Sequence, residues 1–187
     1  MKKINSKGFT LIELLAVITI MGILMMVAIP AVSRTIENSR RDSFADIAHE
    51  YVNAVRNAVL ADNIECKSGD SYVVASATPD GTYYFPIDTT NQNTKDLMES
   101  GGKSPFGNAE MKGYVKWVKS TDNTNETNPK TTTKYTILLH DSGKHGFNEE
   151  LEESAVKRSA IETDITGDLI DTPTAEDGKT VNDCKIA

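Results

Sequence analysis

Glu13 is the only ionisable side chain in the stretch Phe9 to Val32, FTLIELLAVITIMGILMMVAIPAV. A carboxylate at membrane depth costs about 2.5–3.5 kcal/mol on insertion scales, so one kept there is expected to be functional and partnered. No Lys or Arg occurs from Phe9 to Ser33 to supply that partner. The other candidates for chemistry are weaker. His140-Asp141-Ser142-Gly143-Lys144-His145 matches no metal-ligand spacing and reads as a solvated turn, and His49 stands apart. Asp164, Asp168 and Asp171 do not have the spacing of a calcium loop and read as acidic surface. Asn125-Glu126-Thr127 is a glycosylation sequon, but a short pattern. Cys66 and Cys184 are too few for a disulfide scaffold and form no metal motif. With no nucleophile–base pair, phosphate loop or paired catalytic carboxylates, neither enzyme activity nor a metal or cofactor is expected.

The elements that position Glu13 follow from hydropathy. The 187 residues suffice for one globular domain plus an appendage. At about 1.5 Å per residue, Phe9–Val32 is long enough as a helix to cross a hydrocarbon core of roughly 30 Å. Lys2, Lys3 and Lys7 precede it and predict a cytoplasmic N-terminus. A secretory signal would be shorter and end in a small-residue cleavage site, whereas Ser33-Arg34 follows here. A plain anchor fits the length and leaves Glu13 unexplained. Beyond the run, Phe44, Ile47, Ala48, Tyr51, Ala54, Val55, Ala58 and Val59 fall on one helical face. A helix from Phe9 to about Asp62 would be roughly 80 Å long, apolar all round at first and amphipathic later. The net charge of −7 argues against a nucleic-acid partner.

Gly8-Phe9-Thr10-Leu11-Ile12-Glu13, behind a short basic leader and ahead of an apolar run with Pro30 near its end, resembles the processing motif of type IV prepilins and the type II secretion pseudopilins. The close match covers about the first 35 residues. The resemblance implies cleavage between Gly8 and Phe9 by a membrane-embedded prepilin peptidase, with methylation of the new Phe9 amine. A glycine without Cβ suits entry of the backbone into a protease cleft. It further implies that Glu13 pairs with the terminal amine of a neighbouring copy during assembly, setting axial register; a Glu13 snorkelling to the interface is the plainer alternative. Gly22 and Pro30 would bound a segment that loses helicity on assembly, or Pro30 would simply kink a membrane helix. Pilins often tie the C-terminal segment to the head by a disulfide, which implies Cys66–Cys184; two free thiols are the alternative. Such a loop would contribute about 4–5 kcal/mol in the chain-entropy model. Major pseudopilins bind calcium near their C-termini, which leaves that role open for the Asp164, Asp168 and Asp171 group.

The expected fold is α+β: a long N-terminal helix packed on a small antiparallel sheet, the lollipop of a pilin. Residues 1–8 would be leader, 9–33 the transmembrane and assembly helix, and 34–187 the head. Ser71–Ala77 and Thr82–Ile87 flank the turn Pro79-Asp80-Gly81. Thr94 caps a short helix over 95–100, and Gly113–Val118 and Tyr135–His140 are further strands. Thr121–Thr133 reads as an exposed loop, Asn148–Thr163 as a helix capped by Asn148, and strands are possible near Leu169-Ile170 and Val181. The implied function is a structural subunit of a type IV pilus. It would start as a single-pass precursor in the cytoplasmic membrane and end in a surface fibre for adhesion, motility or biofilm formation. Its partners would be copies of itself, the peptidase, and the membrane platform with its assembly ATPase. A pseudopilin, or a minor pilin acting as a receptor-binding tip, are the alternatives; the size of the head favours the pilin.

Overall fold

The computed structural model describes residues 8–68, 71–90, 102–107, 109–122, 130–165 and 182–187. It divides into two compact units, Met1–Ser39 and Arg40–Ala187. One 50-residue helix, α1 (Leu11–Leu60), contributes to both. In the first unit α1 is exposed on every side, because a helix apolar all round has no single face to bury.

In the second unit α1 is amphipathic. Phe44, Ala45, Ile47, Ala48, Tyr51, Val52, Val55 and Ala58 are buried, so the expected face holds, widened by Ala45 and Val52, with Ala54 and Val59 at its margin. The helix ends in a Schellman cap: Asp62 N–H bonds to Val59 O, Asn63 N–H bonds to Ala58 O, and Asp62 takes a left-handed φ of 56°. The Asp62 carboxylate then accepts from Ser76 N (2.6 Å) and Oγ (2.7 Å), pinning the next turn to the helix end.

The sheet contains β1 (Ile64–Ser68), β2 (Ser71–Val73), β3 (Gly81–Asp88), β4 (Met111–Asp122), β5 (Lys130–Asp141), β6 (Leu151–Glu152) and β7 (Asn182–Ile186). Their order is β2-β1-β7-β3-β4-β5-β6. All pairings are antiparallel except β3 with β7. The arrangement is α+β, a long helix on a largely antiparallel sheet. Alternation along β3–β5 turns Tyr83, Phe85, Val115, Trp117, Ile137 and Leu139 into the core with the α1 face. Phe44 meets Phe147 edge-on at 5.8 Å. Gly113 is required by close approach, since any Cβ there would collide with Leu138 O.

Several expected elements differ. Ser71–Ala77 is a strand only to Val73, and it pairs with β1 rather than forming a hairpin across Pro79-Asp80-Gly81. Residues 75–77 turn instead, held by Lys119 Nζ donating to Ala75 O (3.1 Å) and Thr78 O (2.7 Å). Thr121–Thr133 is not all loop: Thr121 and Asp122 continue β4, and Lys130–Thr133 begin β5, paired through Thr121↔Thr131. β-branched threonines suit an exposed ribbon. Gly102 apart, the 95–102 helix and its end, the strands near 169–170 and 181, and the Asn125 sequon lie outside the described residues.

Asn148–Thr163 is not a helix. It consists of β6, two short 3-10 turns (Glu153–Ala155 and Arg158–Ala160) and extended backbone between them. The reason is that its polar groups bond outward. Arg56 pairs with Glu153, His49 Nε2 meets Val156 O at 3.2 Å, Arg158 forks onto Asp42 at 2.5 and 2.6 Å, and Arg41 donates to Ile161 O at 3.0 Å. Asp42, His49 and Arg56 are spaced by seven, hence two turns apart on one stripe of α1. The segment is a strap laid antiparallel along that stripe, with Val156 and Ile161 buried beneath it.

Candidate processing and assembly segment

Gly8 is exposed, with nothing within 4 Å of where a Cβ would stand, and Phe9 is 92% exposed. The peptide between them is therefore open to a protease. Thr10 is the N-cap of α1. Glu13 accepts from Thr10 N and Oγ1, both at 2.8 Å, while Thr10 Oγ1 accepts from Glu13 N at 3.3 Å. This is a complete capping box, and the Thr-x-x-Glu spacing was the sequence signal for it. It fixes the carboxylate one turn from Phe9, at the positive end of the helix, where an anion is stabilised. The resting partner of Glu13 is thus its own chain's N-cap, and an incoming amine would compete with that arrangement or add to it.

From Leu11 to Val32 each large aliphatic side chain is more than half exposed. Thr19 and Thr35 return their hydroxyls to backbone carbonyls of the same helix, Ala16 O at 2.8 Å and Ala31 O at 3.0 Å, so they present little unsatisfied polarity outward. Gly22 has open space around it, and α1 runs on through Pro30. The segment is the one helix among the described residues long and apolar enough to cross a membrane.

The head holds the remaining predicted residues. Cys66 and Cys184 form a disulfide between β1 and β7, both buried. His49 is absorbed by the strap. The solvated-turn reading of 140–145 holds for Ser142–Lys144, which turn and are exposed, but not for its start, since His140 and Asp141 are 5% and 1% exposed. Asp141 accepts from Ser104 Oγ at 2.5 Å, from Gly143 N and His145 N at 2.8 Å, and from His145 Nδ1 at 3.0 Å. The His145 ring stacks flat on Phe106 with centroids 4.1 Å apart. One saturated carboxylate therefore ties loop 102–107 to the end of β5. His140 is different, since its Nε2 is buried without a hydrogen-bond partner. Burial pushes its pKa down, against a smaller upward pull from Asp141.

Glu150 was also missed. It accepts from Thr136 Oγ1 (2.7 Å) and Tyr114 Oη (3.2 Å) and pairs with Lys116. Burial raises its pKa, but those partners outweigh burial and hold it below the usual carboxylate value. Asp164 is exposed, 3.9 Å from Lys144 Nζ; Asp168 and Asp171 lie outside the described residues. Among the described residues no three His, Cys, Asp or Glu side chains converge as metal ligands.

The family model for the prokaryotic N-terminal methylation motif matches residues 3–29. No curated protein and no solved structure matches the chain.

Proposed function

We propose that this chain, whose residues 3–29 match the N-terminal methylation motif, is a type IV pilin-like precursor with a class III leader and a structural subunit of a type IV pilus. Cleavage after Gly8 would expose the Phe9 amine while leaving the apolar helix on the mature chain. The membrane would house that helix first, and copies of the same helix would replace lipid as the fibre forms. The observation that carries this reading is the Leu11–Val32 stretch of α1: exposed aliphatic side chains interrupted by one carboxylate, already oriented at its N-terminus. Lipid satisfies the aliphatic surface, while the carboxylate caps its own helix and would take a second role with an assembly partner. The Phe9 amine is the cation each copy brings to that depth, so pairing between neighbours would select the height of the incoming subunit.

In this reading the head is a non-catalytic outer coat, and prepilin peptidase, a membrane platform and an assembly ATPase act on the chain. Adhesion, motility or biofilm formation would be properties of the fibre. The test is mass analysis of the mature N-terminus together with electron microscopy of surface fibres. A chain beginning at methylated Phe9 and forming the bulk of purified fibres is expected. A chain beginning after Ala31 or Ser33 would overturn processing. Correct processing without fibres, accompanied by loss of a secreted cargo on deletion, would reassign the chain as a pseudopilin.

A further inference from the structure

The last described strand, β7, is an interior strand of the sheet. It pairs with β1 through Ile64↔Ile186, Glu65↔Lys185 and Cys66↔Cys184, and with β3 through Tyr83↔Asn182 and Tyr84↔Asp183. Among the described residues nothing else hydrogen-bonds the β2-β1 hairpin to the β3–β6 sheet. The walls of this slot are core: Ile64, Cys66 and Tyr83 are 1%, 0% and 2% exposed. An empty slot would thus expose apolar side chains and two unpaired strand edges, both unfavourable, so it must be filled by some strand.

The contacts that choose the strand are local. Lys185 pairs with Glu65 at 2.8 Å and lies over the Tyr72 ring at 5.4 Å. Asn63 and Ala187 exchange two hydrogen bonds, Asn63 Nδ2 to Ala187 O and Ala187 N to Asn63 O, each 3.2 Å. One partner of each contact stands between Asn63 and Tyr72, and the other travels with the strand. Residues 182–187 of a second copy offer the same groups in the same register. A one-residue slip would turn Cys184 away from Cys66, so only the native register permits closure.

We propose that the slot between β1 and β3 is an acceptor site for the 182–186 strand of any copy of this chain, and that the Cys66–Cys184 disulfide makes the choice between its own strand and a neighbour's permanent. The site follows from the sheet alone and does not depend on fibre formation. Closure oxidises two thiols to one disulfide, and an oxidised thiol carrier such as oxidised glutathione takes the two electrons and two protons and becomes two thiols. Once formed, the bond is buried and out of reach of further exchange.

The test uses the full chain in detergent, half of it labelled uniformly with nitrogen-15. The mixed chains are unfolded and reduced in urea, then refolded into oxidised and reduced glutathione at protein concentrations spanning about a hundredfold. Mass spectrometry of the linked peptides counts light–heavy pairs. Exchange predicts Cys66–Cys184 links between chains, their share rising roughly in proportion to concentration, with few Cys66–Cys66 or Cys184–Cys184 links. Comparable amounts of all three link types would mean unstructured collision and would overturn the proposal. Links within single chains at every concentration, or thiols that remain unlinked, would overturn it equally.

Discussion

The Asp141 knot gives the sharpest test of how the head is held. Its carboxylate is 1% exposed and serves Ser104 Oγ, two backbone N–H groups and the His145 ring. Asp141→Ala removes the acceptor and leaves Ser104, itself 1% exposed, and the N–H groups of Gly143 and His145 without it. Each orphaned buried donor costs about 1–3 kcal/mol. Gly143 is exposed, and water reaching it and the vacated volume recovers part of the sum, which leaves about 2–5 kcal/mol. Asp141→Asn keeps the shape and one acceptor oxygen, so about 1–3 kcal/mol is expected. Ser104→Ala removes the hydrogen bond to the carboxylate and the one Ser104 Oγ accepts from Phe106 N at 3.1 Å; in the Asp141→Ala background only the first share should disappear, because the two residues share that bond alone. Urea unfolding of the full chain in detergent, followed by the fluorescence of Trp117, reads these changes; it is the single tryptophan and 1% exposed. An Asp141→Ala protein within about 0.5 kcal/mol of the parent, or an Asn variant weaker than the Ala variant, would refute the account.

Glu13→Gln should leave cleavage and membrane insertion intact while fibre abundance falls sharply when the variant is the sole copy; normal fibres built from it would show that the charge does not drive docking. His140 has a folded pKa below its ordinary 6.5, so the unfolded chain takes up the proton first as pH falls. Stability should be whole above about pH 6.5 and decline below it, by at most about 1.4 kcal/mol per pH unit from this residue. In His140→Leu that share of the acid limb should flatten, and an unchanged limb in urea titrations from pH 8 to 5 would count against it. Gly113→Ala should cost several kcal/mol, more than an Ala substitution at exposed Gly107, because the β4–β5 pairing must open to admit a methyl group; equal melting temperatures would refute that.

What could be read from the amino-acid order was the part governed by local periodicity. The α1 face and strands over 82–87, 113–118 and 135–140 each carry their own pattern. What misled were charges whose partners are remote. Glu150, Glu152 and Glu153 followed by Arg158 resemble a helix arranged around its dipole, yet each pairs across the fold: with Lys116, Lys134, Arg56 and Asp42. Asp141 looked like the polar tip of a turn because Ser104, which helps bury it, comes 37 residues earlier. Alternation likewise cannot announce that β7 would lie between β1 and β3, since strand order is decided by the whole sheet. The N-terminal motif was legible because Gly8 to Glu13 lie together in the chain, and a match over residues 3–29 needs no remote partner.

The strap and β7 also bear on how quickly this head can form. Arg41, Asp42, His49 and Arg56 meet residues 97 to 120 positions later in the chain, and Cys66 meets a partner 118 positions later. Contacts of such sequence separation place the head among slow folders, on the order of milliseconds to seconds. Until residues 182–186 have been synthesised, no strand among the described residues joins the β2-β1 hairpin to the rest of the sheet. The growing chain therefore carries an incomplete sheet until residues 182–186 have been made. Its sheet closes only when that strand enters between β1 and β3.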